Sequence, residues 1–349
     1  MTEDAVSFEK VIKKFGAVQA LEEQNFTIAK GELVSMLGPS GCGKTTTLRL
    51  IAGLEMPTAG RIVIGGRDVS NVPTNLRSIG MVFQSYALFP HLNILENVAY
   101  GLIAKQTPKK QALVRAMAQL EQLGLAEKTY KLPAELSGGQ QQRAALARAL
   151  VLEPDVLLFD EPLSNLDAKL RRQVRDEIRD LQQALGLSVV YVTHDQTEAL
   201  AISDRIFLMR NGRIEQSGSP RELYDAPRSE FVADFMGDAN VLKVKAGADG
   251  HVRFGSIPVP GSLAPGAEAI LVARPELLAI AREGQEGLPG RVARASYLGG
   301  VMEYRVETEL GTLLIADRNV REPVRGGSDV HVLAAPEDLR LIPQTTLSI

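Results

Sequence analysis

A single cysteine, Cys42, stands in 349 residues, so no intramolecular disulfide framework can hold the chain together. It lies inside a glycine-rich loop where packing alone would not ask for it, and a reducing compartment fits. No apolar run approaches the ~20 residues that a membrane-spanning helix needs. Met1 to Lys10 mixes Glu, Asp, Ser and Lys where a signal peptide would require an apolar stretch. The expectation is a chain that stays in the cytoplasm. An excess of basic charge is also missing: the net charge is −3, which offers no overall field for gripping nucleic acid.

What is there is ordinary for a folded protein, with 45% apolar and 23% charged residues. The length exceeds the usual size of one hydrophobic core and points to two domains. From Val6 to about Gly237, short apolar runs such as LVSML, IGMVF, VLLFD and VVYVT alternate with longer helical patterns, which predicts crossover units around a largely parallel sheet. Residues 93–134 carry no comparable strand signal and read as helices, with Pro108 near a helix start and Gly124 near its end. After roughly Asn240 the pattern turns to short alternating runs separated by Gly and Pro, including HVRFG, AILVARP and MEYRVETE. Such strands must bury one face against each other, so a small β-barrel or sandwich is expected there, with the boundary near Gly237.

The strongest local signal is GPSGCGKT, Gly38 to Thr45, between the apolar run Leu33–Leu37 and a helix-compatible run to Ala52. Gly38, Gly41 and Gly43 let backbone amides approach phosphates, with Pro39, Ser40 and Cys42 completing the loop. Lys44 supplies a point charge, and Thr45, followed by Thr46, offers a hydroxyl to Mg²⁺. The positive end of the helix dipole adds to the cradle.

Three further strand ends converge on that loop in the reading. VLLF, Val156 to Phe159, delivers Asp160 and Glu161 where open α/β sheets bind ligands. Asp160 is placed to hold Mg²⁺, directly or through water, and Glu161 to polarise an attacking water. The run from Ile79 ends at Gln84, and the run from Ser188 ends at His194. His194 is positioned to bond the terminal phosphate, and Gln84 to join the Mg²⁺ and water shell.

LSGGQQQR, Leu136 to Arg143, opens an Ala-rich helical segment. Ser137 is a good cap, and Gly138 and Gly139 expose amides beside Gln140, so this is a second phosphate cradle. One site does not need two; the arrangement makes sense if the second faces the phosphate loop of another chain. At this point the sequence resembles the ABC ATPases, whose signature motif is LSGGQ, and the resemblance spans nearly all of residues 4–237. It implies an α/β P-loop NTPase domain (1–237) with a helical subdomain at about 85–150. It further implies ATP and Mg²⁺ as ligands, a homodimer, Glu161 as catalytic base, Gln84 as the Q-loop glutamine, and His194 as the switch histidine. Ser164 to Asp167, here SNLD with Asn165 in place of the commoner Ala, becomes the D-loop. Phe15 is similar to the aromatic residue that stacks on adenine, beside Val18, though a core position for Phe15 is the alternative.

YALFPHLNILENVAYGL after Gln84 resembles the importer segment that receives a coupling helix, with Tyr86, Leu88, Phe89 and Pro90 lining the groove; an ordinary buried cluster is the alternative. Residues 238–349 resemble the TOBE-type, OB-like β-barrel of importer ATPases, carried by Arg274-Pro275-Glu276 and by YLGG at Tyr297–Gly300. The later arginines Arg291, Arg294 and Arg305 look too scattered to form a site. The resemblance implies two integral membrane permease subunits, a periplasmic or extracellular solute-binding protein, and a peripheral place on the cytoplasmic face of the inner membrane. Ferric iron is the favoured cargo, with polyamines (spermidine, putrescine), phosphonates or another small solute as alternatives. An ABC ATPase acting on ribosomes or nucleic acid is the rival class, opposed by the charge and by the coupling-like segment.

Overall fold

The computed structural model describes residues 4–164, 166–281, 285 and 287–343; Asn165 of the SNLD segment lies outside the described residues. By its contacts the chain divides into two compact units, Met1–Pro220 and Arg221–Ile349.

The first unit begins with β1 (Asp4–Phe15) and β2 (Val18–Ala29), followed by β3 (Leu33–Leu37), α1 (Lys44–Ala52), β4 (Ala59–Ile64), β5 (Arg67–Asp68) and β6 (Ile79–Val82). Every longer element between β6 and the next strand is helical: α2 (Ile94–Ala104), α3 (Lys109–Gln122) and α4 (Gly138–Leu150). Then come β7 (Val156–Asp160), α5 (Ala168–Leu185), β8 (Ser188–Val192), α6 (Gln196–Ile202), β9 (Arg205–Arg210) and β10 (Arg213–Gly218).

The main sheet has six strands in the order β10-β9-β3-β8-β7-β6. All its pairings are parallel except that of β10 with β9. β3 and β8 are buried at every position, the mark of central strands covered on both faces. Side-chain alternation divides them. Leu33, Leu157, Phe159, Val189 and Tyr191 join the core beneath α2 to α5, whereas Val34, Met36, Leu158, Val190 and Val192 face α1 and a second sheet. That second sheet, antiparallel in the order β2-β1-β4-β5, is absent from the sequence expectation. Its two long strands shift register repeatedly, between Phe8 and Val11 among other places, so no clean period of two survives in the sequence.

Local chemistry sets several helix ends. Asn93 Oδ1 accepts the Glu96 amide at 2.8 Å and Glu96 Oε2 accepts the Asn93 amide at 3.1 Å, closing a capping box at the start of α2. Pro108 precedes α3, and Gly124, at φ 66°, follows it, as the sequence suggested.

The second unit opens with α7 (Pro220–Asp225) and α8 (Glu230–Phe235) and is otherwise built of antiparallel strands and short 3-10 turns. β11 (Asn240–Lys245), β12 (Arg253–Phe254), β13 (Ile257–Pro258), β14 (Glu268–Ala273), β15 (Ala279–Ile280), β16 (Leu288–Tyr297), β17 (Met302–Thr308), β18 (Gly311–Asp317), β19 (Asp329–Leu333) and β20 (Leu339–Pro343) pair in three sheets. Leu271, Tyr304, Val306, Leu313 and Val332 lie in its large core. The all-β character of the tail is as expected. Cross-strand pairing also sets Arg294 opposite Arg305 and Arg291 opposite Glu307, a proximity that sequence distance conceals.

Division by contacts falls at Pro220, ahead of the composition change near Gly237, because Arg274 ties the intervening helices to the strands. Its guanidinium donates to the carbonyls of Tyr224 (2.8 Å), Ala233 (3.1 Å) and Gly237 (3.4 Å) and lies 3.9 Å from the centre of the Tyr224 ring. It is 5% exposed. Burial, helped by a hydrogen bond to Glu276, pushes the Tyr224 hydroxyl up to about 12, so this ring is neutral at any physiological pH. Arg274→Met removes the donors and strands three carbonyls, at a cost of about 3 kcal/mol to this unit. Urea unfolding of the full chain should show a correspondingly earlier transition for the second unit; an unmoved midpoint would discount the clamp.

Candidate functional site

Parallel pairing decides where the candidate residues go. Met36 of β3 pairs with Val192 of β8, Asp160 of β7 with the same Val192, and Val82 of β6 with Phe159. The segments that follow these strands therefore leave the sheet at one edge: the glycine loop, Glu161, His194 and Gln84. The reading from sequence placed all four there.

The loop itself is shaped by backbone that side chains rarely tolerate. Gly38 has φ 150°, and a Cβ there would sit 2.3 Å from the Met209 carbonyl oxygen; Gly43 has φ 109° and would press a Cβ to 2.5 Å from Leu21 Cδ2. Gly43 is the residue before α1 and supplies no side-chain cap, which leaves the first-turn amides of α1 to an outside acceptor. Lys44 is 6% exposed and folds over the loop, its ammonium donating to the carbonyls of Gly38 at 2.7 Å and Pro39 at 3.0 Å. Cys42, 4% exposed, has its Sγ 3.7 Å from Lys44 Nζ and packs with the core below. Thr45 and Thr46 are half-buried in the first turn of α1, and Ser40 is exposed on the loop.

Across the loop, β7 ends in two carboxylates. Burial is the chief reason that the Asp160 carboxyl is raised from its ordinary value; the neighbouring Glu161 charge adds to this and Arg49 opposes it. Thr45, Asp160 and Gln84 lie at the end of the sheet that the glycine loop shares, and the oxygens they carry are hard donors of the kind Mg²⁺ takes. Glu161 stands at φ 46°, a left-handed conformation that costs a non-glycine residue on the order of 1 kcal/mol. Its amide donates to the Val192 carbonyl at 3.0 Å, and its Oε2 lies 3.1 Å from His194 Nδ1. The strained turn thus aims the carboxylate at the histidine.

Behind His194 is a polar network that the sequence reading missed. Glu198, on α6 and 5% exposed, accepts from Thr193 Oγ1 at 2.8 Å and from the Tyr191 hydroxyl at 3.1 Å. Burial raises its carboxyl, partly offset by the Thr193 hydrogen bond. Arg171 of α5 reaches the same place, 3.7 Å from Glu198 and 3.4 Å from Asp195. The available signal was slight: Arg171 lies in the first turn of the helix that Asp167 caps, and Glu198 in the first turn of the helix that follows His194.

Other candidates stand apart from this cluster or already have work. Phe15 is 46% exposed and Val18 is 68% exposed at the turn joining β1 to β2, so the core alternative for Phe15 does not hold. Lys13 Nζ covers one face of the Phe15 ring at 4.5 Å. Asp167 caps α5, accepting the Lys169 and Leu170 amides at 3.0 Å each, and the Leu170 bond foremost lowers its carboxyl below the ordinary value. Ser137 precedes α4, with Gly138 and Gly139 in its first turn. Gln140 Oε1 accepts the Ser137 amide at 3.0 Å, so its side chain braces the helix start.

The segment after Gln84 forms a groove of about 400 Å³ lined by Phe83, Phe89, Tyr100, Arg148 and Leu152, among others. Of the residues expected to line it, Phe89 does so. Tyr86 is buried instead and Leu88 packs against the helical core. Tyr86 and Ala87 are both left-handed, at φ 59° and 48°, and Arg148 clips this strained pair through their carbonyls at 3.0 and 2.6 Å.

Comparison with known proteins places this geometry. A family model described as "ABC transporter" matches residues 21–164, and one described as "TOBE domain" matches residues 271–342. The chain is 57% identical over 331 residues to the Fe(3+) ions import ATP-binding protein FbpC of Rhizobium etli, covering 93% of this chain and 94% of the relative. It is 54% identical to the protein of the same name from Brucella abortus, covering 97% and 98%. Among solved structures, the dimeric post-hydrolysis state of the ATP-binding cassette MJ0796 bound to ADP and Pi matches with a TM-score of 0.55 and 36% identity, covering 62% of this chain and 99% of that one. CbiO1 from Clostridium perfringens, part of the ABC transporter complex CbiONQ, matches with a TM-score of 0.59 and 28% identity, covering 64% and 92%.

Gly38→Ala tests the loop directly. The added methyl collides with fixed backbone, so the loop must open, and affinity for a fluorescent ATP analogue should fall by about tenfold or more. Unchanged affinity would mean that the loop conformation is not what binds.

Proposed function

Because the chain belongs to the family of ABC transporter ATP-binding proteins, we propose that it is the ATP-hydrolysing subunit of an importer whose cargo is ferric iron. One observation carries the chemistry: Glu161 Oε2 lies 3.1 Å from His194 Nδ1 at the sheet edge where the glycine loop begins. The cargo rests on relatives that bear an iron-import name and align over nearly the whole chain.

In the mechanism, the backbone N–H groups of 40–45 surround the β- and γ-phosphates, and Lys44 exchanges its hold on the loop carbonyls for the phosphate oxygens. Phe15 lends its open ring face to adenine, with Val18 beside it. Bound with ATP, Mg²⁺ would supply positive charge against that developing on the transferring phosphoryl group. Thr45, Asp160 and Gln84 would hold it. Glu161 takes a proton from the attacking water, and His194, held by the Glu161 carboxylate, orients the terminal phosphate.

The second cradle, Ser137 to Gln140, faces the phosphate loop of another copy, so two chains sandwich two ATP molecules. Asp167 and the rest of the D-loop lie along that seam. ATP binding closes the pair, and hydrolysis lets it reopen. The groove beside Phe89 and Tyr100 receives a helix from each of two membrane permease subunits, which holds the chain at the cytoplasmic face of the inner membrane. A solute-binding protein outside delivers iron. The strained Tyr86–Ala87 turn lies between Gln84 and the groove, where a shift at one is felt at the other.

Reconstituted with its permease, the chain should hydrolyse ATP faster when the solute-binding protein is loaded with ferric iron than when it is empty. Stimulation by a polyamine-loaded protein instead would replace the cargo and keep the importer, whereas copurification with ribosomes or nucleic acid would overturn the transport reading. Glu161→Gln should still dimerise on ATP by size-exclusion chromatography while phosphate release falls by roughly 10²-fold or more. Wild-type turnover in that variant would remove Glu161 as the base.

A further inference from the structure

The ATPase reading leaves Arg171 without a task, yet its side chain closes a ring of contacts around the hydrolytic pair. Starting at Glu161, the backbone carbonyl accepts from Ser164 Oγ at 3.0 Å, which fixes the start of the D-loop. Further along that loop, the Leu166 carbonyl accepts from Arg171 Nη2 at 3.1 Å. Arg171 then spans to α6, with Nη1 3.4 Å from Asp195 Oδ2 and Nε 3.7 Å from Glu198 Oε1. The Glu198 carboxylate and the Asp195 backbone amide hold the residue before the histidine. Thr193 Oγ1 donates to Glu198 and accepts the Asp195 amide at 3.0 Å. His194, between Thr193 and Asp195, returns to Glu161 and completes the circuit.

The ring encloses a cavity of about 40 Å³, room for about one water molecule. Glu198 is nearly fully buried, and a carboxylate taken out of water needs a cation or hydrogen bonds to be tolerated. Arg171 is a cation within reach, and the same guanidinium holds the D-loop backbone. A displacement of either segment is therefore passed to the other through one rigid planar group.

We propose that Arg171 is a positioning residue for ATP hydrolysis, locking the D-loop and the His194 segment in one register so that Glu161 and His194 remain in contact. The inference rests on the ATPase reading of the site. Arg171 touches no reacting atom; it acts through Asp195, Glu198 and the Leu166 carbonyl. Glu198 and Thr193 are the relay.

The test compares the full-length chain with Arg171→Met, Arg171→Lys, Glu198→Gln and the Arg171→Met/Glu198→Gln double variant, counting ATP-competent sites by nucleotide titration. Arg171→Met should keep its binding stoichiometry and its KM for ATP within about twofold, while kcat per competent site falls about tenfold. Arg171→Lys should fall between, because an ammonium reaches some of these acceptors but lacks the planar fork. In the double variant, kcat should be no lower than in Arg171→Met, since replacing Glu198 by a neutral glutamine removes the unpaired buried charge.

A merely structural role would lower the number of competent sites and leave kcat per site unchanged, and independent losses would multiply in the double variant; either result overturns the proposal. Should Arg171→Met fail to fold, Arg171→Lys decides alone: an intermediate kcat per site supports the ring, and a wild-type value refutes it. Hydrolysis by the wild-type chain is the control that separates the two readings. If it is absent, the ATPase assignment falls and this inference with it; if it is present and Arg171→Met matches it, only the inference falls.

Discussion

Parallel hydrogen bonding of β3 to β8 and of β8 to β7 is the constraint on which the site depends. Strands that run the same way must end on the same side, so residues far apart in sequence, from Gly38 to His194, are delivered to one edge without any contact among them being needed to bring them there. The strands are held by cores on both faces, which leaves the polar ends free for chemistry. Antiparallel pairing would have scattered these ends to opposite edges.

On this rigid platform the connecting segments carry strain. Glu161, Tyr86 and Ala87 all occupy left-handed backbone without being glycine. Each is held by a nearby clamp: the Val192 carbonyl for Glu161, and the Arg148 guanidinium for the Tyr86–Ala87 turn. Strain maintained by a few hydrogen bonds is released by small displacements, so these turns are the places where the edge of the sheet can shift most readily. Arginine is used as a multiple carbonyl clamp in both units. Arg274 gathers three carbonyls in the second unit much as Arg148 gathers two in the first, because a planar fork with five donors satisfies several acceptors at once.

The family relationship gives these features a common setting without explaining them residue by residue. Relatives that share over half of their residues across the whole length make the ATP-binding role secure. They do not say why Glu198 tolerates burial or why the Asp167 carboxyl lies below its ordinary value. Those answers come from the local partners: the Thr193 and Tyr191 hydroxyls for the first, the Leu170 and Lys169 amides for the second.

The sequence by itself determined where the glycine loop 38–45, the acidic strand end, Gln84, His194 and the glycine-rich start of α4 would fall, because each follows directly on an apolar run or opens a helix that residue type and spacing mark. It also determined the helical stretch before β7 and the all-β tail, through hydrophobic period and turn residues. Tertiary structure alone decided what depends on meetings across long stretches of chain. The antiparallel sheet of β1, β2, β4 and β5 was hidden by register shifts that erase the period of two. Tyr86 is buried on a left-handed turn that its residue type does not announce. Arg171 meets Asp195 and Glu198 because α5 and α6 pack together, and Arg274 ties α7 and α8 to the tail through backbone carbonyls. Every residue carries a carbonyl, so no motif could have announced it.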